Sequence, residues 1–246
     1  MENNTKKRRY PLLDNIRGFA LINMMAYHAL WDIVYLFGVN MPWYRGMGAF
    51  IWQQLICCTF IALSGFCLPL GRNGVKRGAI VFGCGWVISL VMKLFSPSTP
   101  NWFGVLTLTG AAMVIISLIR PFLDRLPKRM GLVLSIMLFL ATRFAKDGYL
   151  GLGSVTFPLP DFLYSGWISA WLGFPFAGFH STDYFPIVPW IFLFAAGYFL
   201  HGIIGTMVPE GGKLPILTWL GRHSLEVYMV HQPLIMGVLT ILFKVI

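Results

Sequence analysis

Arg17 and His28 stand eleven residues apart in one apolar stretch, Ile16-Arg17-Gly18-Phe19-Ala20-Leu21 through Tyr27-His28-Ala29-Leu30-Trp31-Asp32. On a helix, eleven steps of ~100° bring both side chains to one face, about 16 Å apart along the axis. A fixed cation and a titratable base are costly in an apolar medium, so both are functional candidates. Histidine serves as a general base near neutral pH, and arginine grips phosphate oxygens two at a time. Asp14 precedes Arg17 by three residues and is in reach of an ion pair. Asp32 follows His28 by four, where it can bond the imidazole and set its tautomer. The face reads Asp14, Arg17, Leu21, Met24 or Met25, His28, Asp32.

A second polar cluster lies near the C-terminus, in Gly221-Arg222-His223-Ser224-Leu225-Glu226 and on through Tyr228 to His231-Gln232-Pro233. Arg222 and Glu226 have the spacing of a helical ion pair. Pro233 has no N–H for the carbonyl of Met229, so a kink and a free carbonyl are expected beside His231. Two chemistries suit such groups. One is group transfer: a phosphate-bearing donor docks on arginines while a neutral histidine takes the proton of an attacking hydroxyl or amine. The other is proton-coupled transport or flipping without catalysis, with histidine and aspartate as the relay.

The elements that position these residues are membrane helices. The chain is 57% hydrophobic and only 11% charged, with a mean hydropathy of +0.71, whereas a soluble domain carries about 25% charged residues. Nine Trp and 21 Phe suit a lipid-facing surface with interfacial aromatics. About seven spans are expected, near 16–37, 49–70, 78–95, 103–119, 130–145, 186–205 and 222–243. Fourteen of the 19 Lys and Arg fall on one side: Lys6 to Arg9 with Arg17, then Arg72, Lys76 and Arg77, then Arg120, Arg125, Lys128 and Arg129, then Lys213 and Arg222. That side is expected to be cytoplasmic, which puts the N-terminus inside. His28 and His231 then share a depth, in spans that run in the same direction. The net charge of +10 is read as topology, and no nucleic-acid partner is expected.

The fold class expected is therefore all-α, a polytopic membrane helix bundle. A basic tail (1–9) leads into one membrane domain (10–246) with a long outer loop at 146–185. Within that loop, the aromatic stretch 162–174 suits a short interfacial helix. Pro186 and Pro189 suit the first turn of the sixth span. The first span is too long for the core of a cleavable leader. Cys57, Cys58, Cys67 and Cys84 lie within apolar spans and read as packing residues. His28 and His231 lack the spacing of a metal signature, so no metal is expected.

Leu13-Asp14-Asn15-Ile16-Arg17-Gly18-Phe19-Ala20 with His28 resembles the opening of the transmembrane acyltransferases. The resemblance is strongest to the heparan-alpha-glucosaminide N-acetyltransferase catalytic-domain family, in its small prokaryotic branch. Ala62-Leu63-Ser64-Gly65, Asp183-Tyr184-Phe185-Pro186-Ile187-Val188-Pro189-Trp190 and the Gly221–Pro233 motif resemble the same branch. After Phe103-Gly104, where relatives carry a histidine, this chain has Thr107. The resemblance implies a membrane acetyltransferase of the bacterial inner membrane, with acetyl-CoA as cytosolic co-substrate. A glycan or other envelope component would accept at an amine or hydroxyl on the outer side. It implies His28 as catalytic base or transient acyl carrier and places Arg17 with the donor-facing cluster; the spacing of the residues themselves makes Asp32 the expected orienter of His28. Arg17, Asp14, Arg222, Arg72 and Arg77 would form the donor-facing polar group. His231, Gln232, Asp183 and Tyr184 would face the acceptor. The lipid bilayer is the expected surrounding, and homo-oligomer formation is left open.

Overall fold

The computed structural model describes residues 10–95, 99–209, 211–212 and 214–245. The basic tail at 1–9 and Lys213 lie outside the described residues. Nine α-helices are described: α1 (Pro11–Tyr35), α2 (Met47–Cys67), α3 (Gly74–Phe95), α4 (Val105–Leu123), α5 (Lys128–Ala141), α6 (Trp167–Leu172), α7 (Ile187–Ile204), α8 (Pro215–Arg222) and α9 (Ser224–Val245). An antiparallel hairpin of β1 (Tyr149–Leu152) and β2 (Val155–Pro158) sits between α5 and α6. It turns at Gly153-Ser154, with Leu152 opposite Val155, and Gly153 takes the left-handed φ of +60° that such a short turn favours.

Among the described residues five helices are long and apolar enough to cross a membrane: α2, α3, α4, α7 and α9. α1 has 25 residues and reaches about 37 Å, but Asn15, Arg17, Asn23, His28 and Asp32 dilute its apolar character. α5 has 14 residues, about 21 Å, short of a ~30 Å hydrocarbon core.

The stretch read as one helix over 222–243 is broken. α8 ends at Arg222, His223 leaves the helix (φ −101°, ψ 26°), and α9 starts at Ser224. Arg222 and Glu226 therefore do not share a helix. Among the described residues the carboxylate that meets Arg222 is Asp14, not Glu226. At the start of α7, Pro186 is the N-cap and Val188 is non-helical, so the regular helix opens at Pro189. The interfacial segment expected over 162–174 contracts to the six residues of α6, which expose Trp167 and Ile168.

The chain forms two compact units, residues 1–60 with 207–246, and residues 61–206; the boundary falls inside α2. In the first unit α1 packs on α8 and α9. Two glycines let α8 close on α1. A Cβ on Gly18 would stand 2.8 Å from the Leu217 carbonyl carbon, and one on Gly221 would stand 2.6 Å from that of Asp14. Close backbone approach at small residues is how helices associate where lipid removes the hydrophobic drive. Leu21, Met24 and Ile56 fill the space beside this contact.

The second unit uses the same device where Gly65 faces the Phe194 backbone and where α3 meets α4 at Gly78 and Gly110. Its long loop is stitched to the segment before α4. Thr182 N–H donates to the Pro100 carbonyl at 2.9 Å, and Phe185 N–H to that of Phe103 at 2.9 Å. Trp102 N–H donates to Ser181 Oγ at 2.9 Å.

Candidate active site

The first unit gathers most of the candidate residues. At the α1–α8 contact, Asp14 stands between two guanidiniums: Arg17 Nη1 is 3.7 Å from Oδ1, and Arg222 Nε donates to Oδ2 at 3.4 Å. Arg17 also donates to the Gly221 carbonyl at 3.4 Å. Two cations on one carboxylate leave a net positive charge and unused N–H donors, a composition that suits phosphate oxygens. Asn15 fixes the frame beside them. Its Oδ1 accepts from Thr218 at 2.6 Å, and its Nδ2 donates to the Gly212 carbonyl at 2.6 Å. This buried Asn–Thr pair was not anticipated, because 203 residues separate the partners.

Further along α1, the imidazoles of His28 and His231 meet edge to face, with ring centroids 5.1 Å apart and planes at 77°. The shared depth expected from the sequence is thus direct contact. Asp32 does not orient His28. Both its oxygens accept from Gln232 Nε2, at 2.9 and 3.0 Å, and the residue is 0% exposed. The physical reason is reach across helices: the amide of Gln232 on α9 can face both oxygens at once. Burial without such a donor would leave the charge uncompensated.

His231 is 6% exposed, and its Nδ1 lies 2.6 Å from the Tyr228 carbonyl. Its Nε2 and the Gln232 Oε1 are buried and have no hydrogen-bond partner among the described residues. Pro233, inside α9, also withholds a donor from the Met229 carbonyl one turn earlier. This end of α9 therefore collects acceptors.

Tyr27, whose ring meets that of His28, belongs to an aromatic cluster with paired polar groups. Tyr44 O–H donates to the Tyr27 carbonyl at 2.7 Å, and burial pushes its phenol well above the usual range. Trp52 Nε1–H donates to Asn23 Oδ1 at 3.1 Å. The rings of Tyr27, Tyr44 and Trp52 pack together within 5.5 Å. Neither Tyr44 nor Trp52 stood out in the sequence, since aromatics are common throughout the chain.

The remaining candidates belong to the second unit. Asp183 Oδ2 accepts from Val105 N–H at 3.4 Å, which caps α4, and burial pushes its carboxyl up to about 6. Tyr184 O–H donates to the Ala170 carbonyl at the end of the loop, and burial raises its phenol too. Both side chains hold the loop in place. Thr107 is buried with its Oγ1–H donated to the Gly104 carbonyl at 2.6 Å, against Gly85 of α3. Arg72 precedes α3 and Arg77 lies in its first turn. A groove of about 510 Å³ there is lined by Gly71, Asn73, Lys76, Ser117 and Arg120. Among the described residues no group of three His, Cys, Asp or Glu could hold a metal ion.

The profile of the family described as "Heparan-alpha-glucosaminide N-acetyltransferase, catalytic" matches residues 9–233. No curated protein and no solved structure matches the chain.

Proposed function

The chain belongs to the heparan-alpha-glucosaminide N-acetyltransferase catalytic family, a membership that implies a multi-pass membrane protein of acetyltransferase kind, and from it we propose the reaction and its direction. The protein moves an acetyl group from acetyl-CoA on the cytoplasmic side to an amine or hydroxyl of a glycan or envelope component outside the bacterial inner membrane. The observation that carries this reading is the contact of His28 with His231 beside the Asp32–Gln232 pair. A base is held there among buried acceptors that lack a donor, and an amine or hydroxyl nucleophile supplies that donor.

Arg17 and Arg222 suit the donor's phosphates. Arg17 stands eleven helical residues from His28, roughly 16 Å along α1, a span that an extended thioester arm can bridge. Arg72 and Arg77 offer cations of the same kind in the second unit, where Asp183 and Tyr184 anchor the long loop. The excess of Lys and Arg on one side supports an N-terminus in the cytoplasm.

The test is direct. Purified protein given acetyl-CoA, with glucosamine as probe acceptor, releases free thiol and forms acetylated product. Protein that neither binds acetyl-CoA nor releases thiol refutes the reading and leaves the transporter or flippase alternative.

A further inference from the structure

We infer that His231, through its Nε2, is the general base of the site, with Gln232 Oε1 as a second acceptor that positions the nucleophile. The inference rests on the acetyl-transfer reading and assigns the roles within it. A neutral imidazole has one N–H and one lone-pair nitrogen. The Tyr228 carbonyl can only accept, so the Nδ1 at 2.6 Å from it carries the hydrogen. The lone pair is therefore on Nε2, which is buried and has no partner. Gln232 is fixed in the same way. Its Nε2 donates to both oxygens of Asp32, which leaves Oε1 as the free end of the amide.

Unsatisfied buried acceptors are rare and costly. Two on consecutive residues, each side chain already held by a second partner, are acceptors suited to a group that brings hydrogens. An amine or hydroxyl meets that need, and an anionic group does not. His28 differs. Among the described residues its ring has aromatic contacts with Tyr27 and His231 but no hydrogen bond that selects a tautomer. The residue singled out by its place in α1 is thus less prepared to take a proton than its neighbour on α9.

The step balances without any further reagent. The nucleophile's lone pair attacks the thioester carbonyl and forms the new C–N or C–O bond. The C–S bond breaks, and its electron pair leaves on sulfur. The proton lost by the nucleophile goes to His231 Nε2 and then to the thiolate, which returns His231 to its neutral form.

The full chain in detergent micelles, with acetyl-CoA and glucosamine, tests the assignment. His231→Ala should lower thiol release by roughly 10²-fold or more, the range of general-base catalysis. Added imidazole should restore part of the rate, and substituted imidazoles should do so in order of their basicity, a response that a packing role would not give. Nitrogen-15 NMR of labelled histidine in the wild type should show His231 Nε2 unprotonated and Nδ1 protonated at rest. An undiminished rate in His231→Ala, rescue confined to His28→Ala, or the opposite tautomer overturns the assignment while leaving acetyl transfer standing. Wild-type protein that releases no thiol overturns the acetyl-transfer reading and this assignment with it.

Discussion

Removing the side-chain amide of Gln232 should cost more than an ordinary polar truncation. Asp32 is 0% exposed, and its oxygens accept from that amide at 2.9 and 3.0 Å. A hydrogen bond to a charged group contributes about 1.5–3 kcal/mol. Membrane contacts fall at the lower end of such ranges. Gln232→Ala should therefore destabilise the protein by about 1–3 kcal/mol. Asp32→Asn in the Gln232→Ala background should recover part of that loss, because a neutral amide is cheaper to leave unpartnered than a carboxylate. Unfolding free energies of the wild type, both single variants and the double variant close a cycle, and the coupling expected is roughly 1.5–3 kcal/mol. Additive losses would refute the claim that Gln232 is what makes a buried Asp32 tolerable between α1 and α9.

Three further outcomes are expected. Gly221→Ala places a methyl against the Asp14 backbone, so thermal melting should show a loss of about 1–3 kcal/mol and KM for acetyl-CoA should rise as Arg17 and Arg222 lose their frame. Asp124 is held down to about 2, first by its hydrogen bond from Lys128, with Tyr198 and Arg120 assisting. Its stabilisation is present above the ordinary carboxylate range and is lost as pH falls from about 4 through about 2; Asp124→Asn should flatten that limb of the melting profile. Asp183, pushed up to about 6 by burial, has the opposite sign. Its contribution is full below about 4 and declines as pH rises through about 6, so Asp183→Asn should remove a decline in melting temperature across that window.

Hydropathy and the clustering of basic residues were enough to place most of the helices, and polar residues within apolar stretches pointed to His28 and His231. Their contact was not legible, because depth in a span says nothing of which face meets which. The partner of Asp32 is not legible for a related reason. A helical spacing of four favoured His28, whereas Gln232 reaches it from 200 residues away. The break at His223 is not legible because neither proline nor a run of glycines marks it; it falls beside the close seat of Gly221 on Asp14. The hairpin at Tyr149–Pro158 escaped notice because its strands have only four residues each and no polar–apolar alternation. Asp14, Arg17 and their pairing were readable locally, while Asn15 with Thr218 required the fold.

The central claim is that the acetyl group is transferred beside the two histidines. A cryo-EM structure of the full chain with a non-hydrolysable acetyl-CoA analogue tests it most directly. The account predicts the analogue's carbonyl against His28 and His231, with its phosphates toward Arg17 and Arg222. An acyl end bound away from both imidazoles would contradict it.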